Sequence, residues 1–290
     1  MTKPDRSYPS ETDGVLRKDL SGFFEGDNMK HISITTDFGS SVGSMRGVIW
    51  NIAPNAMISD ITSAIPPQDI NYATWYLDHE VWYFPPGSIH IVVVDPGVGT
   101  ARRPIVAKIG EHYFVGPDNG VFSKLYQRAE KNGWEIRIFH TNKPKYWWEL
   151  ESNIFHGRDI FSPVAAHLAA GVPVEELGEE IHDEIRIPVP EADFTVSGAQ
   201  GKVILIYPHL GNITTNFYRK DLPKDFDASK AKLKIGDRTI SSIRQTFGEA
   251  PEGELIALYG TAGYIIIAVV NGNANDLLKP KIGDKVELIY

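Results

Sequence analysis

Three stretches of this sequence set an ionisable side chain beside glycines that leave room for a small ligand. Thr36-Asp37-Phe38-Gly39 follows a β-branched run and leads to Gly43 and Gly47. Val93-Val94-Asp95-Pro96-Gly97-Val98-Gly99 closes a near-continuous apolar run and is followed by Arg102 and Arg103. Phe155-His156-Gly157-Arg158-Asp159 stands ahead of an apolar helical pattern, with Asp159 read as its cap, Pro163 in its first turn and Gly171 past its end. Asp37 and Asp95 each fall at the carboxyl end of a strand, where open α/β sheets bind ligands, so the two carboxylates are expected to face one crevice. Arg102 lies near enough in sequence to fold back on Asp95; a pair of surface arginines is the plainer alternative. His156 is expected beside a helix N-terminus, whose positive dipole end disfavours an imidazolium and keeps the ring neutral toward a water's proton. A neutral base, a guanidinium and a carboxylate are the parts needed to hold and activate one water.

Other chemistries fit less well. Asp37-Phe38-Gly39 matches a kinase motif, but a kinase carries its glycine-rich loop, strand lysine and catalytic loop upstream, and only 36 residues precede Asp37. Neither G-x-G-x-x-G nor G-x-x-x-x-G-K-[ST] occurs, so no dinucleotide site or P-loop is expected. His156 and Asp159 as metal ligands lack a second histidine at ligand spacing, and no metal is expected. Gly116-Pro117-Asp118-Asn119-Gly120 reads as a turn and helix start that shapes a pocket without doing chemistry. Gly211-Asn212-Ile213-Thr214-Thr215-Asn216 reads as a loop after a strand, in which Asn212 either caps a turn or offers its amide to a base edge.

The elements that must position these groups follow from periodicity. Residues 31–36, 89–94, 105–109, 113–115 and 135–139 read as strands. Met45, Val48, Ile49 and Ile52, then Ile70, Ala73, Leu77, Val81 and Phe84, recur at helical spacing, and further helices are expected near 120–131 and 160–170. This alternation predicts an α/β fold whose N-terminal domain has a mostly parallel central sheet. At Ile187-Pro188-Val189-Pro190 the rhythm breaks. Beyond it, 203–207, 232–235, 254–258, 264–270 and 285–289 read as strands between glycine-rich turns, which predicts a C-terminal antiparallel β-barrel domain. The expected organisation is 1–29 as a disordered extension or tag, 30–190 as the α/β domain and 194–290 as the barrel.

Composition narrows the partners. The 290 residues carry 29 Lys+Arg against 37 Asp+Glu, a formal charge of −8 without long blocks of one sign. Neither nucleic acid nor an anionic membrane surface is therefore an expected partner. Cysteine is absent, which excludes thiol nucleophiles, iron–sulfur clusters, Cys-based zinc sites and a disulfide scaffold. The longest strongly apolar run, 264–270, falls far short of the roughly 20 residues of a spanning helix, and a cytoplasmic protein is expected.

Taken together and in this order, the motifs resemble the S-adenosyl-L-methionine hydrolases (adenosine-forming), relatives of the fluorinase and chlorinase enzymes, from about residue 29 to the C-terminus. The resemblance implies a homotrimer that binds S-adenosylmethionine between one subunit's N-terminal domain and its neighbour's C-terminal domain. It implies hydrolysis to adenosine and L-methionine by attack of an activated water at C5′, with the sulfonium compound as substrate and no cofactor. Asp95, Arg102 and His156 match the water-activating set, and Asp37 matches the carboxylate that holds the ribose hydroxyls. Asn212, Asn273 and Ala274 match positions that contact adenine, while Phe247 and Thr261 match others lining the pocket.

Two alternatives accompany that reading. In the related halogenases, which form 5′-halo-5′-deoxyadenosine, the positions of Asp95 and His156 are aromatic and a halide-contacting serine stands at Gly157. A non-catalytic binder of adenosine or S-adenosylmethionine would have no use for an Asp, Arg and His set. The sequence departs from the family at the short loop Ser40-Ser41-Val42-Gly43, at Ile154, and at Tyr207-Pro208-His209-Leu210. These changes are expected to alter the grip on the methionine amino group and to leave the water-activating set intact.

Overall fold

The computed structural model describes residues 30–40, 42–149 and 153–290, and the expected extension 1–29 lies outside the described residues. The N-terminal sheet is built from β1 (His31–Thr36), β2 (Met57–Thr62), β3 (Ile89–Val93), β4 (Pro104–Ile109), β5 (His112–Pro117), β6 (Ile136–His140) and β7 (Glu179–Ile181), in the order β2-β1-β3-β5-β4-β6-β7. β2, β1, β3 and β5 run parallel, and β4, β6 and β7 extend the sheet with antiparallel pairings. The apolar run that suggested a strand covered on both faces is β3, and every one of its residues is buried.

Helices lie on both faces, as βαβ crossovers require. α1 (Gly43–Ile52) and α4 (Ser162–Ala169) close one apolar layer, in which Met45 and Ile49 meet Ile34, Val93 and Val164. α2 (Ile70–Glu80) and α3 (Ser123–Asn132) close the other, where Leu77, Leu125 and Ala129 meet Val92 and Phe114. The chain leaves β1 for β2 on one side and then returns to β3 on the other. The strand order thus reverses between β1 and β3, and the carboxyl ends of these two strands flank the crevice where such sheets take ligands.

A short helix α5 (Val174–Leu177) precedes β7. The C-terminal sheet comprises β8 (Asp193–Thr195), β9 (Gly198–Tyr207), β10 (Asn212–Tyr218), β11 (Lys232–Ile235), β12 (Arg238–Ser241), β13 (Ile243–Arg244), β14 (Leu255–Tyr259), β15 (Tyr264–Val269) and β16 (Lys285–Ile289), with α6 (Ala274–Leu278) before the last strand. The order is β12-β11-β16-β9-β10-β15-β14-β13, with β8 beside β9. The two ends of that order, β12 and β13, are joined by Ser242 alone, held at φ +63°. The sheet therefore curls on itself into a nearly closed barrel around Ile213, Phe217, Leu233 and Leu288.

Six strands are absent from the sequence reading, namely β2, β7, β8, β10, β12 and β13, and two of them show why. β10 was read as a loop because Asn, Thr and Asn dominate it, yet it is central, and Thr215 satisfies its buried hydroxyl on the Ile265 carbonyl at 2.7 Å. β2 is a sheet edge with no fully buried residue, so its apolar pattern is weak.

The barrel docks on α2. Trp75 meets Tyr264 edge-on at 5.9 Å, and Tyr72 meets Tyr207 at 6.1 Å. The proline-bearing linker is tied down on both sides: Ile187 N–H donates to Ser123 Oγ, and Asn216 Nδ2 donates to the Pro190 carbonyl.

Candidate active site

Asp95 emerges at the end of β3 into a turn in which Val98 N–H returns to the Asp95 carbonyl at 3.2 Å. Gly99 holds φ +77°, and a Cβ there would stand 3.0 Å from the Asn153 carbonyl oxygen. Glycine is thus what lets this turn lie against the chain that leads to His156.

Arg102 folds back from that turn onto Asp95. Its Nε donates to Oδ1 at 3.0 Å and to Oδ2 at 2.9 Å, and its Nη2 adds a further contact to Oδ2. The same Nη2 lies 2.7 Å from His156 Nδ1. The guanidinium rests over the Phe161 ring at 5.1 Å. Side chains of Arg102 and Asp95 are 7% and 3% exposed, so the pair lies in a low-dielectric setting where it holds its geometry. The remaining nitrogen, Nη1, is buried and has no hydrogen-bond partner among the described residues. A buried, unpaired donor is costly and points to a group that arrives with the ligand.

The arginine doublet is therefore no surface pair. Arg102 serves Asp95, while Arg103 Nε donates to Asp118 Oδ2 at 2.9 Å and its Nη1 to Asp183 Oδ1 at 2.7 Å. Beside Asp118, Asn119 donates from Nδ2 to the Val94 carbonyl at 2.9 Å, which fixes the residue immediately before Asp95. The Gly-Pro-Asp-Asn-Gly segment thus steadies the site from behind.

His156 precedes one π-turn, Gly157–Phe161, that runs into α4. Such wide turns recur at functional sites. Ser162 Oγ donates to the Gly157 carbonyl at 2.7 Å and helps hold this one open. The expectation that Asp159 caps a helix does not hold: it lies inside the π-turn, fully buried, and takes hydrogen bonds from Arg158 at 2.6 and 3.1 Å. His156 is shifted toward the neutral form, first by burial and then by the Arg102 charge, against an opposing pull from Asp95. The expected neutrality is there, and burial with a neighbouring cation causes it.

Asp37 stands at the end of β1 across the strand reversal. Its Oδ2 accepts from Gln68 N–H at 2.7 Å, and Gln68 holds a left-handed φ of +63°. Nearby, Gly39 N–H donates to the Ser63 carbonyl, and Phe38 meets Phe155 edge-on at 5.8 Å. Loops after β1, after β2 and before the π-turn therefore meet at this crevice. Nothing in the sequence singled out Gln68, whose part is played by its backbone.

In the barrel, Asn212, Asn273 and Ala274 come together at one turn. Asn212 is the first residue of β10 and not a loop residue. Gly211 accepts from Ala274 N–H at 2.9 Å, and at φ +71° it leaves no space for a Cβ, which would sit 2.5 Å from Asn273 Cα. The Asn273 side chain is committed locally: Oδ1 caps α6 on Asp276 N–H, and Nδ2 donates to the Pro208 carbonyl. Thr261 lies in the β14–β15 turn, at the other end of the β10–β15 pair, because Ile213 pairs with Ile267 whereas Tyr218 pairs with Tyr264. Phe247 is 42% exposed in a separate 3-10 turn. Among the described residues no hydrogen bond, ion pair or ring contact joins these barrel positions to Asp37, Asp95, Arg102 or His156.

Comparison with known proteins points the same way as the geometry. The models of the SAM hydroxide adenosyltransferase N-terminal and C-terminal domains match residues 32–178 and 201–287. The chain is 35% identical over 267 residues to the (R)-S-adenosyl-L-methionine hydrolase of Thermus thermophilus, covering 90% of this chain and 100% of that one. A fluorinase of Actinoplanes sp. is 24% identical over 271 residues, covering 82% and 90% respectively. A conserved protein of solved structure from Thermotoga maritima superposes with a TM-score of 0.81 at 33% identity, over 89% of this chain and 100% of that one.

Proposed function

Since the chain belongs to the SAM hydroxide adenosyltransferase family, we propose that it hydrolyses S-adenosyl-L-methionine to adenosine and L-methionine. The R configuration at sulfur is the epimer named for the Thermus thermophilus relative. The observation that carries this reading is the Asp95–Arg102–His156 cluster, with one arginine nitrogen still unpartnered.

Both Asp95 oxygens are engaged by Arg102, so the carboxylate acts as the anchor. Arginine donates only, hence His156 Nδ1 accepts and the neutral ring keeps its proton on Nε2. A water entering between the two groups displaces the Arg102 Nη2–His156 Nδ1 contact, since Nδ1 has a single lone pair; it then accepts from Arg102 Nη1 and donates to His156 Nδ1. Its oxygen attacks C5′, the C5′–S bond breaks with its electron pair going to sulfur, and the water's proton passes to Nδ1. Methionine leaves as a neutral thioether, so no leaving-group acid and no redox group are required. Orientation supplies roughly 7 to 11 kcal/mol of such a barrier and a positioned base a further ~10² to 10⁴-fold.

Asp37 retains one carboxylate oxygen for the ribose hydroxyls. In this reading adenine lies at the Gly211 turn and the methionyl end near Thr261. Because the single chain joins these barrel positions to the cluster by no described contact, a neighbouring copy in a homotrimer is proposed to complete each site.

Halide transfer fits less well. A halide needs donors alone, whereas His156 presents a lone pair that repels it and that a water needs. The test is product separation after incubation with each sulfur epimer, with and without chloride or fluoride. Adenosine and methionine in equal amounts support the proposal; a 5′-halo-nucleoside, or binding without turnover, overturns it.

A further inference from the structure

Two ion pairs flank His156, and the proposed chemistry uses one of them. Asp95 with Arg102 stands on its Nδ1 side, while Arg158 with Asp159 lies in its own π-turn. Asp159 is fully buried, and both its oxygens accept from Arg158, whose side chain is 20% exposed. A buried ion pair adds little net stability, because desolvation offsets the attraction between the charges. What this pair does for the fold is instead visible in what it touches.

The pair fixes the backbone on both sides of the base. Arg158 N–H and Asp159 N–H both donate to the Phe155 carbonyl at 3.1 Å, and the Arg158 guanidinium lies 5.2 Å from the centroid of the Phe155 ring. Trp148 N–H donates to the Asp159 carbonyl at 2.8 Å, which ties the turn to the chain ahead of it. On the far side of His156, the Gly157 carbonyl accepts from Ser162 N–H across the π-turn. Charge acts on the ring as well: Arg102 disfavours an imidazolium, whereas Asp95 and Asp159 favour it. Of the elements packed against the turn, α1 brings Arg46, which is paired with Asp60, and α4 brings His167, which is seated against Tyr146. β5 brings His112 at its opposite end, bonded to His90.

We propose that Asp159, acting through Arg158, is a positioning residue for the hydrolysis: it locks the π-turn that presents His156 Nδ1 to Arg102 and steadies the imidazolium formed when the water's proton arrives. Asp95 is the other carboxylate near the ring, and Arg102 engages both of its oxygens. The inference rests on the hydrolase reading, and it adds to the Asp95, Arg102 and His156 set a residue that touches neither water nor substrate.

Asp159→Asn keeps the size of the side chain and removes its charge. It is expected to lower kcat roughly tenfold with little change in KM, because a slightly displaced base loses rate steeply. Proton NMR of the His156 ring, assigned by its loss in His156→Ala, reads the electrostatic part without turnover. Its titration midpoint is expected to fall by roughly half a unit in Asp159→Asn, less than the roughly 1 to 3 units a charge in direct contact exerts. Arg158→Gln leaves Asp159 unpaired and is expected to raise the midpoint. Arg158→Gln with Asp159→Asn is expected to return it toward the wild-type value while kcat stays low, and serves if Arg158→Gln impairs folding. A merely structural pair would not displace the midpoint in opposite directions. Wild-type kcat or an unmoved midpoint in folded Asp159→Asn overturns this proposal alone; no adenosine from the unmodified chain overturns the hydrolase reading with it.

Discussion

His156 Nδ1 lies 2.7 Å from Arg102 Nη2, and because arginine cannot accept, this one contact fixes the tautomer of the histidine. It also makes Arg102 the hinge of the site, gripped by Asp95 on one side and touching the base on the other. Arg102→Lys keeps the charge and loses the planar fork that makes both contacts. Steady-state kinetics are expected to show kcat down by roughly 10²-fold, at the low end of a positioned base's contribution, with a much smaller change in KM. An unchanged kcat would show that charge alone suffices.

Asp95→Ala and His156→Ala are each expected to cut turnover at least roughly tenfold while the circular dichroism spectrum stays as it is. Wild-type rates in either variant would mean that another group prepares the water.

The pH profile follows from the direction of the His156 shift. The base works when neutral, and burial together with Arg102 holds its pKa below the ordinary 6.5. The acid limb of turnover should therefore have its midpoint below 6.5. A midpoint above 6.5 would contradict the lowered pKa of His156.

Asn119 bears on activity at one remove. Its side chain holds the Val94 carbonyl at 2.9 Å, one residue before Asp95. Asn119→Ala should destabilise the fold by only about 1 kcal/mol, yet lower kcat several-fold as Asp95 loses its fixed position. A loss of stability with no loss of kcat would confine Asn119 to a structural part.

Stability has its own titration. His79 is stacked on Tyr264 at 5.1 Å, and burial lowers its pKa to about 4. The folded value lies below the unfolded one, so the unfolded chain binds more protons between them and stability falls as pH drops from about 6.5 to 4. The shift corresponds to about 3 kcal/mol at most. Urea unfolding at pH 7 and pH 4.5 should show a larger acid loss in the wild type than in His79→Leu; equal losses would remove His79 from the account.

Much of this was legible in the residues. Asp95 and Asp37 announce themselves because β3 and β1 are apolar or β-branched runs that end in a carboxylate and a glycine turn. His156 stood out by the helical pattern after it. What could not be read is where tertiary contact overrides local pattern. Asp159 looks like a helix cap, but the chain takes a π-turn there and buries it against Arg158. β10 looks like a polar loop, because its threonine hydroxyl is satisfied only by a strand distant in sequence. Gln68 and Asn119 act through a backbone N–H and a backbone carbonyl, and residue type alone carries no signal for either.

The most direct test of the central claim is a single turnover experiment in water enriched in oxygen-18. If a solvent molecule held by Arg102 and His156 attacks the sugar carbon, the label appears in the 5′-hydroxyl of adenosine, one atom per molecule, and none enters methionine. Adenosine formed without the label, or a halogenated nucleoside in its place, would contradict the account.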